Sequence, residues 1–183
     1  MRWPERFQTE RLVLRRPVTG DARAIFDEYA QDADVSRYVM WRPHRDVNET
    51  AAFLARCQTG WAAGNDLSWA ITLAGDDRVV GMVGARPRGH MADIGYVLAR
   101  RLWGEGIVAE AARAVVETAF IDPNVYRVWA VCDVENRASA RVMEKVGMTH
   151  EGVLRKWIVH PNISPYPRDV HCYARIRSDG GAA

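Results

Sequence analysis

Two glycines one residue apart, Gly104 and Gly106, are the residues whose spacing first suggests ligand binding, because a long alanine-rich and valine-rich helical pattern follows them. The first turn of a helix leaves four backbone N–H groups without intrahelical partners and carries about half a positive charge, so it can bind an anion. Glycines remove Cβ bulk there, and Arg101 lies just upstream. The stretch is a candidate diphosphate site, although a glycine turn that only joins a strand to a helix has the same sequence.

Two features of the following residues bear on this choice. The chain has no G-K-[ST] sequence, and Ile107-Val108-Ala109 stand where the dinucleotide-binding pattern requires its third glycine. The helix beyond is apolar on all sides, which predicts that it is packed into the fold and that its first turn is held rigidly.

Composition sets the frame for these residues. The chain has 183 residues, 48% of them hydrophobic and 26% charged, which predicts one globular domain over residues 1–178 with a frayed tail at 179–183. The net charge of +2 is dispersed along the chain, so nucleic acid and anionic membranes are not expected partners. The three cysteines and five histidines lack metal-binding spacing, so no metal is expected. The absence of a long apolar run and of a secretory core predicts a cytoplasmic protein.

The apolar periodicity predicts the elements that position the glycines. Strands are expected at residues 9–17, 67–73, 78–85, 91–98, 125–132, 149–159 and 169–176. Helices are expected at 20–31, 48–63, from the glycines to 120, and at 136–146, with an aromatic loop at 38–44 and turns at 75–77 and 87–89. This order predicts a mixed α/β domain with one sheet and helices packed on it.

Four segments in register resemble the GNAT acyltransferases. IGYVLARRLWGEGIVAEAARAVVETAF is similar to their acetyl-CoA loop, whose [RQ]-x-x-G-x-[GA] signature is filled by Arg101, Gly104 and Gly106. VENRASARVMEKVGM, TERLVLRRP and RDVHCYARIR are similar to the RimJ/RimL branch. The resemblance covers nearly the whole chain. It implies the GNAT fold, with a mostly antiparallel sheet splayed at residues 94–98 and about four helices, and an N-acetyltransferase that uses acetyl-CoA.

The resemblance also implies where acetyl-CoA binds. The strands at 94–98 and 129–132 would leave a V-shaped gap for the pantetheine arm, with main-chain groups near Val97 holding it. Asn136 looks like the residue that hydrogen-bonds the pantetheine, and it equally fits the N-cap of the last helix. The backbone of seven residues would hold the pyrophosphate: Arg101, Leu102, Trp103, Gly104, Glu105, Gly106 and Ile107.

Acyl transfer from a thioester to an amine requires a neutral amine, a donor for the oxyanion and an acid for the leaving thiolate. Ser139 is the expected acid, because Met143 stands where other branches of the superfamily have a tyrosine. A serine that satisfies its own helix start is the alternative. Asp93 is the candidate base, directly or through water, and otherwise a solvated residue at a strand end. Cys132 is not expected to be a nucleophile, because its strand pattern indicates packing.

Four residues are expected on the acceptor side, since the resemblance places their loops at the acceptor mouth: Trp41, Arg42, Tyr166 and Arg168. The loop at 160–168 fits a rigid surface connection as well. Trp103 and Trp129 are expected at packed positions. A weak base favours α-amines, because their pKa is about 7.7 to 8 whereas that of lysine is about 10.4.

These observations predict a RimJ/RimL-like enzyme that acetylates a peptide N-terminal α-amine by direct transfer in a ternary complex, with a homodimer left open. One alternative is acetylation of a small molecule, such as an antibiotic, a polyamine or an amino acid analogue. Another is a non-catalytic acetyl-CoA-binding module. A helix-turn-helix regulator is disfavoured, because the net charge is small and no basic recognition helix is present.

Overall fold

A computed structural model describes residues 3–177 of the chain. Over that range eight strands form one sheet in the order β1-β2-β3-β4-β5-β6-β8-β7. The strands are β1 (Arg6–Gln8), β2 (Leu12–Arg15), β3 (Leu67–Leu73), β4 (Val79–Arg88), β5 (Met91–Leu98), β6 (Arg127–Asp133), β7 (Thr149–Ile158) and β8 (Arg168–Ile176). The tail expected to fray, residues 179–183, lies outside the described residues.

Helices cover both faces of the sheet. They are α1 (Ala22–Ile25), α2 (Ala33–Ser36), α3 (Val47–Ala63), α4 (Ile107–Ile121) and α5 (Arg137–Lys145). A 3-10 turn, Thr19–Asp21, leads into α1, a π turn, Phe26–Ala30, continues it, and a second 3-10 turn spans Arg100–Leu102. This is the mixed α/β architecture that the sequence predicts.

The strands bury alternate residues in two separate cores. Ile71, Val80 and Val83 belong to the core under α4 and α5. Their chain neighbours Ala70 and Val79 belong to the core under α1 and α3. Helix α4 buries residues on several sides, as the apolar residues all round it predict, and this packing holds its first turn in place.

Among the described residues, neighbouring strands pair in parallel only between β5 and β6. Met91, Ala92 and Asp93 pair with residues 127–129, and the pairing then stops. All other neighbouring strands are antiparallel. Beyond Asp93 the two strands diverge, which confirms the predicted splay at residues 94–98.

Three local predictions were wrong. The strand expected at residues 9–17 is limited to β2, and a turn in which the Thr9 N–H donates to the Leu12 carbonyl at 2.9 Å separates it from β1, which was not predicted. Helix α2 was not predicted, because four residues are too short to show a helical period. Pro87 lies in β4 rather than in a turn, since beyond Ala85 this strand pairs with β5 alone and a missing N–H on its free edge breaks no ladder bond.

Candidate active site

The gap between β5 and β6 is bordered by an unpaired strand edge. Val97 pairs with Met82 of β4 on one side. On the other side, β6 has already diverged from β5 past Asp93. The main chain around Val97 is therefore not paired with β6, and its role in holding the pantetheine arm stays a prediction.

The glycine loop lies where β5 leads into α4. Gly104 has φ of 88° and Gly106 has φ of 79°, both in the left-handed region that favours glycine. A Cβ at Gly104 would meet no atom within 4 Å, so conformation rather than crowding selects glycine there. Gly106 is the N-cap of α4 and places no side chain on the first-turn amides. No side chain caps these amides, so they can donate to an anion such as a diphosphate.

The loop is braced from the start of the chain. Arg11 donates to the Glu105 carbonyl at 3.0 Å and to the Glu110 carboxylate at 2.7 Å. Thr9 donates to the same carboxylate at 2.5 Å. Burial raises the pKa of Glu110, but the hydrogen bonds from Thr9 and Arg11 outweigh it and leave the pKa below its ordinary value. Glu110 therefore stays ionised and fixes the loop.

The side chain of Arg101 turns toward the π turn that follows α1. It donates to Glu28 at 2.9 Å, and Glu28 also accepts from Arg78 at 2.6 Å. The Arg101 side chain is thus engaged by Glu28, and backbone amides remain as the candidate anion ligands of the glycine loop. Leu102 packs against the α4 core.

The expectation that Trp103 and Trp129 are core residues was wrong for Trp103. Its side chain is 49% exposed, and its indole N–H donates to the Leu98 carbonyl at 3.0 Å. Trp129 is partly buried and lines an open depression of about 430 Å³ with Met91 and Trp157. That depression lies where β5 and β6 are still paired, at the other end of these strands from the glycine loop.

The start of α5 brings a hydroxyl group to the gap. Asn136 caps this helix by accepting from the Ser139 N–H at 3.1 Å, so one of its two expected roles is observed. The Ser139 hydroxyl lies 2.8 Å from the hydroxyl of Tyr96, which projects from β5. Tyr96 was missed at the sequence level, although the alternation in Ile94-Gly95-Tyr96-Val97-Leu98 puts its phenol on the same strand face as two core residues. Burial raises the pKa of Tyr96.

Cys132 also borders this hydroxyl pair. Burial raises the pKa of its thiol to about 11, against an opposing effect of its hydrogen bond with Ser139. His171 is its register partner on β8, but the His171 ring bonds to His150 at 3.0 Å. A thiol with this pKa is protonated near neutral pH, so Cys132 is a poor nucleophile.

Asp93, the candidate base, lies inside β5 rather than in a turn. It accepts from Arg86 Nε at 2.7 Å across the β4–β5 ladder. The carboxylate is 14% exposed. Because the Arg86 guanidinium already donates to this carboxylate, a proton from the amine would have to compete with it. The role of Asp93 as the base therefore stays a prediction.

The two acceptor-side loops meet through a residue that sequence reasoning missed. The Asn162 side-chain NH₂ donates to the Ser36 carbonyl at 2.5 Å and to the Trp41 carbonyl at 2.8 Å. Arg42 and Tyr166 are exposed on these loops. The residues expected at the mouth are thus carried by two segments that are fastened together.

Arg168 is engaged in a buried ion pair. Its guanidinium donates to Asp133 at 2.6 and 3.1 Å and contacts Glu135 at 3.1 Å. Burial raises the pKa of Asp133, but the hydrogen bonds from Arg168 and the Glu135 N–H outweigh it and hold the pKa below its ordinary value. His160 Nε2 lies 3.7 Å from Asp133, and burial lowers the pKa of His160. This group anchors the acceptor-side loop at the end of β6.

The family follows from this geometry together with a sequence match. A family model described as an acetyltransferase (GNAT) domain matches residues 11–149, which is most of the chain. The chain belongs to the GNAT acetyltransferases. It is an N-acetyltransferase with a splayed sheet and a glycine loop at the start of α4.

Relatives agree along almost the whole chain. The uncharacterized N-acetyltransferase YoaA of Bacillus subtilis is 28% identical over 173 residues, covering 93% of this chain and 97% of that protein. The crystal structure of a GNAT-family acetyltransferase from Bacillus anthracis has a TM-score of 0.81 and 29% identity, covering 93% of this chain and 98% of that one.

Two solved structures with 21% identity show the same fold. The microcin C7 self-immunity acetyltransferase MccE, in complex with acetyl-CoA and AMP, has a TM-score of 0.82 and covers 92% of this chain and 94% of its own. RimL, a ribosomal L7/L12 α-N-protein acetyltransferase in complex with coenzyme A, has a TM-score of 0.80 and covers 92% and 95%. At this identity the likeness concerns the fold alone.

Residues 3–177 contain neither a metal-binding cluster nor a membrane-spanning helix. Among these residues no three His, Cys, Asp or Glu side chains are grouped so that they could hold a metal ion. Within the same range, every helix is too short or too polar to cross a membrane.

Proposed function

We propose that this GNAT enzyme moves an acetyl group from acetyl-CoA to the α-amine of a protein or peptide, as a RimJ/RimL-like N-acetyltransferase. The observation that carries the proposal is the gap between β5 and β6, with a glycine loop at one border and a hydroxyl group, Ser139, at another. We also propose that the enzyme acts in the cytoplasm. A homodimer stays a sequence-level prediction.

The protein's share of the reaction begins with positioning. The amides of residues 104–107 bind the pyrophosphate, the free edge near Val97 aligns the pantetheine arm, and the Asn136 carboxamide adds a hydrogen bond to it. Acetyl-CoA, when bound, supplies an activated thioester. Holding the thioester and the amine together makes the transfer effectively unimolecular, which lowers the entropic part of the barrier.

Proton transfers follow from the groups around the gap. The amine attacks the thioester carbon directly, and the Ser139 hydroxyl protonates the leaving thiolate. A protonated Cys132 thiol makes a covalent acetyl-cysteine route unfavourable near neutral pH, which supports direct transfer in a ternary complex. Asp93 is proposed to take up the amine proton through water.

An α-amine is the better acceptor for this site. Arg86 already donates to the Asp93 carboxylate, so an acceptor amine that is neutral without a base suits this site best. At neutral pH an appreciable fraction of α-amine, with a pKa of about 7.7 to 8, is already neutral, whereas about one lysine in a thousand is. Trp41, Arg42 and Tyr166 would contact the acceptor, with Arg168 holding their loop. RimL, which has the same fold, acts on an α-amine according to its name.

A small-molecule amine is the second candidate acceptor. The likeness to MccE, a self-immunity acetyltransferase, favours it, because that protein has the same fold and a comparable TM-score. An antibiotic-like amine or a polyamine would enter at the same mouth.

The test is an acetylation screen read by mass spectrometry, in which acetyl-CoA is mixed with a panel of α-amine peptides, lysine peptides and polyamines. Products restricted to α-amines support the proposal, and products restricted to lysine or polyamines refute the choice of acceptor. Ser139→Ala is expected to lower kcat about 100-fold, the lower range for a lost general acid, while acetyl-CoA still raises Tm. Thr118→Ala is the control, because its hydroxyl bonds to the Ala114 carbonyl inside α4.

A further inference from the structure

The phenol of Tyr96 crosses from β5 to α5 at the gap. Its hydroxyl lies 2.8 Å from Ser139 Oγ and 3.1 Å from the Ser139 carbonyl oxygen. Its ring packs against the core under α4 and α5. The phenol is therefore fixed next to the group assigned to protonate the thiolate, and no sequence motif links these two residues, which lie 43 positions apart.

The direction of this hydrogen bond decides what Ser139 can do. A phenol has one proton, and a serine hydroxyl has one proton and two acceptor sites. The Ser139 carbonyl oxygen at 3.1 Å and Ser139 Oγ at 2.8 Å compete for the phenol proton, and Oγ is the nearer acceptor. If Tyr96 donates to Ser139 Oγ, the serine proton is free to point into the gap. If Ser139 donated to Tyr96, its proton would be directed away from the sulfur.

We propose that Tyr96 is the second proton donor of the reaction and acts through Ser139, an inference that rests on the proposed function. As the carbon–sulfur bond breaks, the thiolate takes the proton of Ser139. Ser139 takes the proton of Tyr96, and Tyr96 is left as a phenolate. The proton that leaves the amine nitrogen passes through water to Asp93, Asp93 releases it to solvent, and water supplies one proton to Tyr96. One proton leaves the nitrogen and one arrives at the sulfur, so the step balances.

The relay is favoured because a serine alone is a weak acid for this purpose. An unburied phenol, with an ordinary pKa of about 10, is a far stronger acid than an aliphatic hydroxyl, and burial disfavours a serine alkoxide at this site as it disfavours the phenolate, so the phenolate is the better end point of the two. Burial raises the pKa of Tyr96, so the phenol is protonated at neutral pH before each turnover. The same burial makes the phenolate short-lived.

Tyr96→Phe tests the relay, with Tyr173→Phe as the matched control. Tyr173 is also in the core under α4 and α5, and its hydroxyl donates to Glu144 at 3.1 Å rather than to Ser139. Full-length proteins are compared with acetyl-CoA and the acceptor panel, and thiol release is followed. Tyr96→Phe is expected to lower kcat about 10- to 100-fold, a step below the loss of a direct acid, with acetyl-CoA Kd within two-fold of wild type. Tyr173→Phe is expected to lower Tm similarly and to keep kcat.

Solvent isotope effects separate proton transfer from packing. In mixtures of H₂O and D₂O, the wild-type rate should depend on deuterium content as expected when two protons move in the same step. The rate of Tyr96→Phe should show the dependence expected for one proton. Tyr96→Phe in the Ser139→Ala background should cause no further loss, because the two act in series. Three results would overturn the relay while leaving acetyl transfer intact. They are a wild-type kcat in Tyr96→Phe, an isotope effect that this substitution does not change, and an equal loss of kcat in Cys132→Ala. No acetylation by the wild type would instead refute the proposed function itself.

Discussion

Replacing Arg168 with methionine removes the positive partner of a carboxylate that has no access to water. The Asp133 side chain is 0% exposed, and that of Arg168 is 23% exposed. Methionine fills much of the same volume but cannot donate, so Asp133 would keep the Glu135 N–H and lose both guanidinium bonds. The ion pair, and not packing, is therefore what the substitution changes.

The structure sets the size of the effect. Each hydrogen bond to a charged group contributes about 1.5 to 3 kcal/mol, and the partial exposure of Arg168 favours the low end, so two bonds amount to about 3 kcal/mol. That agrees with the roughly 3 to 5 kcal/mol lost when one partner of a buried ion pair is removed. For a chain of this length we expect Tm to fall by about 6 to 12 °C.

The dependence on pH carries a definite sign. In the wild type the folded pKa of Asp133 is below the unfolded value, so this group stabilises the protein above that value and less as pH falls through the folded pKa. In Arg168→Met burial dominates and raises the folded pKa, so protonation stabilises the variant as pH falls. The difference in Tm should be largest near pH 7 and should shrink toward pH 4.

Calorimetry at several pH values is the assay, and Arg127→Met is the matched control. Arg127 makes a comparable pair with Glu151 on the same sheet, but that carboxylate is 38% exposed. Exposed pairs contribute about 0.2 to 1 kcal/mol, so this variant should lose at most a few degrees. Equal losses in Arg168→Met and Arg127→Met, or a difference that does not vary with pH, would refute the argument from burial.

Two further predictions concern Gly81 and His160. An added Cβ at Gly81 would lie 2.5 Å from the Val97 carbonyl oxygen, so Gly81→Ala should push β4 away from β5. We expect this variant to lose about 3 kcal/mol of unfolding free energy in urea denaturation and to have a higher KM for acetyl-CoA. Gly20→Ala is the control, because there is open space around its Cβ, and equal urea midpoints for the two variants would contradict the steric account. Burial lowers the pKa of His160 from 6.5 and outweighs the opposing effect of the Asp133 charge. The unfolded chain therefore binds more protons than the folded one, so wild-type Tm should fall as the pH drops from 7 to 5. His160→Asn should reduce that fall, and an identical slope of Tm against pH in this variant would show that His160 is not its source.

The elements predicted best were those with clear boundaries in the sequence. Strands β3 and β5 have the predicted bounds, because turn-forming residues flank both runs. The two glycines before α4 were also singled out from local sequence, although for their missing Cβ rather than for the left-handed backbone that the structure shows. In contrast, periodicity cannot detect α2, which has four residues.

The parts of the candidate site that could not be predicted depend on distant contacts. Arg168 and Asp133 are 35 positions apart, so local sequence suggested an acceptor contact where the fold makes an ion pair. Trp103 was expected in the core because tryptophan is usually well buried, but it follows a 3-10 turn at the surface. The gap itself arises where two strands stop pairing, and this point was implied by the family resemblance rather than by any single residue.

The brace from Arg11 to Glu105 and Glu110 has a consequence for the order of folding. The atoms it joins belong to residues 94 and 99 positions apart, so β2 and α4 must already be in place before the glycine loop is held. Contacts of such large sequence separation form late, after the entropy of closing a long loop has been overcome. A nascent or partly unfolded chain would then present helix α4 without a competent coenzyme site. Acetyl-CoA should accordingly select the completed fold and slow its global opening, rather than nucleate local structure.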